Sequence, residues 1–214
     1  MLDARIRPLI DPPLNAAARV LIRMGATPAR VTTAGFMCAL ACFYFLAFMQ
    51  YAPALVFLLA GRLMDGLDGP VARQMRMTGA DGKETTGESD AGAFMDIVSD
   101  FIFYSGAVFF FALGQPQYAL WAAFLIFSFM AAGSSFLAYA IFAGKRGLNH
   151  EEQCKKGFYY LSGIAEGTET IVVLSLMCLL PQYFPLIAGV YGVLCLLTAA
   201  GRVRQGIADF SKAV

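Results

Sequence analysis

Asp65 and Asp68 stand three residues apart and Asp96 and Asp100 four apart, each pair within or beside an apolar run. At these spacings both members of a pair share one face of a helix. Carboxylates gathered in a low-dielectric setting repel one another and are driven towards protonation. Each charge held at membrane depth costs about 3 kcal/mol on insertion scales. A divalent cation removes the conflict, because hard carboxylate oxygens suit Mg²⁺, Mn²⁺ or Ca²⁺. Four aspartates suffice for two ions, the arrangement that clamps both the attacking and the leaving oxygens of a phosphoryl group. Gly69 and Ala72 remove bulk beside the acids, and Arg73 is a bidentate phosphate donor near the same level. An ion pair between Asp65 and Arg62, one turn away, leaves three carboxylates without a counter-charge and does not account for the set.

The elements that position these residues follow from composition. The chain has 214 residues, of which 58% are hydrophobic and 14% charged, against about a quarter charged in soluble domains. This is the composition of an all-α integral membrane protein. Six apolar stretches are long enough to cross a bilayer, at about 33–50, 53–75, 91–114, 118–143, 157–180 and 184–203. Before them "PLNAAARVLIRMG" reads as an amphipathic helix in the interface, ended by Gly25. Thr27 and Pro28 then read as an N-cap and first helical residue. The expected organisation is an N-terminal interfacial segment, residues 1–32, and a six-helix transmembrane catalytic domain, residues 33–214.

Charge sets the orientation. Of the 16 Lys and Arg residues, only Arg62 lies in the interior of a span, Arg73 and Arg202 standing within two residues of a span's end. The rest sit before span 1, after span 2, between spans 4 and 5, and at the C-terminus, while the other three connections carry no charge. This predicts cytoplasmic termini, with Asp65 and Asp68 at the cytoplasmic end of span 2. Spans 2 and 3, joined on that side by a Gly- and Thr-rich connector, bring all four aspartates to similar depth. The five cysteines form no CxxC pair and have no His cluster beside them, which excludes a zinc site or disulfide framework. Cys38 and Cys42 read as small helix-packing residues. The net charge of +1 offers nothing to nucleic acid. The N-terminus lacks the pattern of a cleaved signal.

The segment Asp65-Gly-Leu-Asp68-Gly69-Pro-Val-Ala72-Arg73, followed by Gly92-Ala-Phe-Met-Asp96-Ile-Val-Ser-Asp100, resembles the signature of the CDP-alcohol phosphotransferase family, D-x-x-D-G-x-x-A-R then G-x-x-x-D-x-x-x-D. All eight fixed positions are present. The later "GFYYLSGIAEGTETI" is similar to a bacterial inner-membrane branch of that family. The resemblance implies a phosphatidyltransferase of phospholipid synthesis. It would move the phosphatidyl group from CDP-diacylglycerol to the hydroxyl of a small alcohol with release of CMP, as a homodimer with its site facing the cytoplasm. By matching positions, Asp65, Asp68, Asp96 and Asp100 would hold two divalent ions, Mg²⁺ or Mn²⁺, and Asp100 would act as general base. Gly69, Ala72, Arg73, Gly92, Ser89 and Thr32 would line the donor nucleotide. The chain departs from the pattern in the long spacer between Arg73 and Gly92, and in Ala29, where many members carry Asn or Asp.

The acceptor is less legible. A phosphate-bearing alcohol calls for Lys or Arg near the acids, and Lys156 is one candidate among several basic residues at span ends. Glu166 and Glu169 lie about 14–18 Å into span 5. They could bind a cationic head group or a polyol, or pair with Arg62 across helices. Ser135 could add a polar contact or simply permit close packing. Acceptors of the glycerol 3-phosphate, amino-alcohol and polyol types all remain open. The competing class is a transporter that uses the aspartates as a cation path. Glycine and arginine at fixed offsets suit a nucleotide better.

Overall fold

A computed structural model describes residues 2–78, 90–146 and 167–211. Among these residues the chain is all-helical: α1 (Leu2–Arg23), α2 (Pro28–Ala47), α3 (Tyr51–Thr78), α4 (Asp90–Gly114), α5 (Ala119–Lys145), α6 (Gly167–Leu179) and α7 (Phe184–Phe210), with short 3-10 turns at Pro116–Tyr118 and Pro181–Tyr183. Four of them, α2, α4, α5 and α7, are long and apolar enough to cross a membrane. The helix α3 has the length, but Arg62, Asp65, Asp68 and Arg73 dilute its hydropathy, and α6 is described only from Gly167. The chain divides into two compact units, one of residues 4–115 and one built on residues 116–214.

In the first unit the helix boundaries follow local chemistry. Gly25 takes φ +82°, the left-handed conformation that closes α1 without a Cβ penalty. Thr27 then caps α2, its hydroxyl accepting from the Arg30 amide at 3.4 Å, with Pro28 in the first turn. The first apolar span therefore begins at the cap, five residues before the hydropathy boundary at 33. The helix α1 also starts earlier than the amphipathic pattern, running through Pro8, Pro12 and Pro13, whose rings fix a φ compatible with helix. The turn into α3 places Met49 at φ 56°, with the Gln50 amide donating to the Phe45 carbonyl at 2.8 Å.

The apolar stripe of α1 seats the segment that carries the acids. Leu14, Ala18, Leu21 and Ile22 pack with Val31 of α2 and with Met64, Leu67, Val71 and Met75 of α3, around the fully buried Ala18 and Val71. Gln74 fastens the far end of this contact, its Nε2 donating to the Asn15 carbonyl at 3.1 Å. The helices α2 and α3 cross where glycine faces glycine. A Cβ on Gly61 would stand 3.4 Å from Cys38 Cβ and 3.5 Å from the Gly35 carbonyl, so small residues allow the backbones to approach. Cys38 and Cys42 do serve as packing residues, and Cys42 is fully buried. The helix α4 lies against α2, with Phe43 stacked on Phe103 and Phe110.

The second unit is tied by polar contacts at one end of its helices. Tyr139 donates to Asp209 Oδ2 at 2.9 Å, and Gln205 donates to the same oxygen. Arg146 donates to the carbonyls of Asp209 and Phe210, which neutralises the carbonyl end of α7. Arg202 is buried and donates to the Ala132 carbonyl of α5 at 3.1 Å. Thr170 of α6 and Tyr191 of α7 share a buried hydrogen bond of 2.8 Å.

Candidate active site

Two helices of the first unit, α3 and α4, carry the acids, and Arg62 is the residue on which Asp65 and Asp100 meet. It lies one turn before Asp65 on α3. Its Nη1 donates to Oδ1 of Asp100 on α4 and stands 3.4 Å from Oδ2 of Asp65. The guanidinium carbon sits 4.3 Å from the Phe103 ring centroid and 5.6 Å from that of Tyr104. The aromatic faces hold the cation by its quadrupole attraction and exclude water from it. The Arg62 side chain is 11% exposed, against 27% for Asp65 and 32% for Asp100. Low exposure strengthens the attraction relative to a surface pair. The Nε of Arg62 is buried and has no hydrogen-bond partner.

The other two aspartates are placed differently. Asp68 lies on the next turn of α3, where Thr32 Oγ1 of α2 stands 3.3 Å from its Oδ2. The same hydroxyl is 3.1 Å from the Pro28 carbonyl, so its single proton has two acceptors in reach. Asp96 is exposed, one turn before Asp100 on α4. Pro70 sits inside α3. Having no N–H, it leaves the carbonyl of Gly66 without its usual helical donor, between the two acids.

The fit to a divalent cation can be judged from the donors. Asp65, Asp68, Asp96 and Asp100 form an all-oxygen set of the kind hard cations take. Two of them, from different helices, already share one positive group. Among the described residues, no three acidic, His or Cys side chains stand close enough together to hold an ion as they are placed. The match to a hard cation is thus one of donor chemistry alone, and in this arrangement Arg62 supplies the positive charge between Asp65 and Asp100.

The remaining sequence-derived positions fall into three groups. Gly69 and Ala72 are half-buried on α3, Arg73 is exposed one turn beyond Gly69, and Gly92 is exposed near the start of α4. Ser89, Lys156 and Glu166 lie outside the described residues, as does most of the spacer before α4. Part of that expected connector is helical, since α3 continues to Thr78. Glu169 is half-buried in the first turn of α6, and Ser135 donates to the carbonyl of Ala132 in its own helix at 2.8 Å.

Sequence reasoning understated Arg62. It recognised the pair with Asp65 but not the bond to Asp100, which makes the arginine a bridge between α3 and α4. The available signal was its isolation: it is the lone cation in an apolar span beside four acids that need charge. The expected alternative partner of Arg62, Glu166 of span 5, lies outside the described residues.

A family model for CDP-alcohol phosphatidyltransferase matches residues 26–200, which takes in all three helices of this site. The chain belongs to that family. It is 42% identical over 207 residues to the inner membrane protein YnjF of Escherichia coli (strain K12), covering 96% of this chain and 95% of that protein. It is also 32% identical over 111 residues to the archaetidylinositol phosphate synthase of Pyrococcus horikoshii, covering 52% of this chain and 54% of the synthase. The chain is therefore a multi-pass membrane protein and a transferase of substituted phosphate groups, acting by phosphatidyl transfer in phospholipid synthesis.

Proposed function

We propose that the chain transfers the phosphatidyl group of CDP-diacylglycerol to a hydroxyl of a small alcohol at the cytoplasmic face of the bacterial inner membrane. The observation that carries this reading is the meeting of Asp65 and Asp100, from two helices, within the complete family signature. The acceptor hydroxyl attacks the phosphorus next to the lipid, a new oxygen–phosphorus bond forms, and the bond to CMP breaks with its electron pair leaving on CMP. Asp100 takes the proton of the attacking hydroxyl and later yields it to water. Arg73 pairs with the diphosphate, and Gly69, Ala72 and Gly92 keep the backbone low enough for the nucleotide to approach. Thr32 orients Asp68, and Ser89 contacts the donor from the spacer. Divalent ions held by Asp65, Asp68, Asp96 and Asp100 would supply the positive charge that phosphoryl transfer requires.

For the acceptor, the archaeal relative's name makes a phosphorylated polyol the first alcohol to test. Glu166, Glu169, Lys156 and Ser135 are the residues proposed to contact it. Family membership suits a homodimer. The deciding experiment is CMP release by the purified protein in lipid nanodiscs, with CDP-diacylglycerol and Mg²⁺ or Mn²⁺. The acceptor panel holds inositol phosphate, glycerol 3-phosphate, serine, ethanolamine and choline. Turnover with one of these supports the reading. Absence of CMP release with every acceptor and both ions refutes it.

A further inference from the structure

Arg62 places a permanent positive charge on the carboxylates that the proposed function gives to divalent ions. We infer that Arg62 is a positioning residue that acts as a resident, displaceable counter-charge, setting how tightly Asp65 and Asp100 take a divalent cation. The inference rests on the metal role proposed above.

Two features support the role of counter-charge. One guanidinium nitrogen serves carboxylates from two helices, so the like charges are held together without mutual repulsion. The cation's face is covered by Phe103 and Tyr104, which fixes it beside the acids and away from solvent. A third feature supports displaceability. The buried Nε has no partner, so the arginine's hydrogen bonding is incomplete, and a shift away from the carboxylates gives up less than a fully satisfied network would. An arginine is the suitable residue, because it keeps its charge when buried.

The physical consequence has a sign. A divalent cation entering these carboxylates must share them with this positive charge or displace it, so Arg62 weakens cation binding while ordering the acids. Neutralising it should tighten binding and impair turnover together. A purely structural loss would weaken both.

The test is Mn²⁺ binding measured by electron paramagnetic resonance on purified protein in nanodiscs. For Arg62→Gln the Mn²⁺ Kd is expected to fall at least about tenfold, consistent with removal of a unit charge a few ångströms from the site, while kcat falls. An unchanged or weaker Mn²⁺ affinity overturns the inference. Arg62→Lys serves as the second variant, since it keeps a charge and is the more conservative change for folding. Its Kd should stay within about threefold of the wild type, and a larger change in either direction overturns the inference. Wild-type protein that binds no Mn²⁺ refutes the metal role and this inference with it. Wild-type binding with an unmoved Arg62→Gln Kd refutes the role of Arg62 alone.

Discussion

Asp100 of α4 accepts a hydrogen bond from the same Arg62 nitrogen that lies 3.4 Å from Asp65 of α3. The bridge fixes where the proposed general base stands and leaves Oδ2 of Asp100 outside the bond to Arg62. A base oriented by a neighbouring charge is the usual design for proton removal in a transition state.

Asp100→Asn should therefore remove turnover and spare donor binding. The amide keeps its shape and can still accept from Arg62 through its oxygen, but it cannot take a proton. General base catalysis accounts for about 10²–10⁴ in rate, and CMP release should drop by that factor or more. Binding of the nucleotide, followed by isothermal titration with CDP or CMP, should change by less than about 1 kcal/mol. Equal loss of nucleotide binding would make Asp100 chiefly a ligand and not a base.

Thr32 offers a milder test of the same site. Its hydroxyl stands 3.3 Å from Asp68 Oδ2 in an exposed position. Removing a hydrogen bond to a charged group costs about 1.5–3 kcal/mol when buried and less when water can replace it. Thr32→Ala should raise the KM for CDP-diacylglycerol by roughly threefold to tenfold with little change in kcat. Thr32→Ser, which keeps the hydroxyl, should restore it. No effect from the alanine variant would leave the hydroxyl serving its own helix through the Pro28 carbonyl at 3.1 Å.

What the sequence discloses about this protein is local chemistry. Thr27 and Pro28 announce the start of α2, Gly25 the end of α1, and four aspartates at helical spacing announce a charged site in an apolar bundle. Each of these is a relation among residues at most a few positions apart. The bond from Arg62 to Asp100 joins positions 38 apart and depends on how α3 and α4 face one another, which no period reveals. The Gln74–Asn15 clamp, 59 positions apart, was invisible for the same reason. Boundaries slipped where punctuation misled. Pro12 and Pro13 look like helix breakers, yet α1 runs through them, because packing of its apolar stripe against Leu67 and Val71 outweighs one or two missing backbone bonds.

Glycines test the packing of the first unit. A Cβ on Gly114 would come within 2.6 Å of the Leu46 carbonyl and 2.9 Å of that of Ala47. These are backbone atoms that cannot step aside, so α4 would have to move off the end of α2. Gly114→Ala should lower stability by about 1–3 kcal/mol, read as a lower midpoint in thermal or detergent-induced unfolding. Gly201→Ala is the control. Nothing lies within 4 Å of its added methyl, and it should be neutral or stabilising by up to about 1 kcal/mol. Similar losses at both positions would show that the Gly114 contact is not the cause.

Met49 is the complementary case, an L-residue at φ 56° in the turn between α2 and α3. The left-handed conformation costs such a residue about 1–2 kcal/mol, and glycine escapes the cost. The Met49 side chain is 55% exposed, so little packing is lost on its removal. Met49→Gly should raise the unfolding midpoint by an amount equivalent to about 0.5–1 kcal/mol once the entropy of a flexible glycine is subtracted. A drop in the midpoint would mean that the side chain packs more strongly than its exposure implies.

Glu169 bears on the acceptor. It stands half-buried in the first turn of α6, beside Thr170, whose hydroxyl shares a buried bond with Tyr191. Half-burial of the carboxylate suits packing of the helix as well as contact with a substrate. Glu169→Gln keeps the volume and removes the charge, and it separates the two roles. If the carboxylate contacts an acceptor hydroxyl or head group, losing a charged hydrogen bond of about 1.5–3 kcal/mol should raise the acceptor KM tenfold or more. The KM for CDP-diacylglycerol and the unfolding midpoint should stay in place. An unmoved acceptor KM with a lowered midpoint would assign Glu169 to the helix alone and shift the search for the acceptor contacts to Glu166 and Lys156.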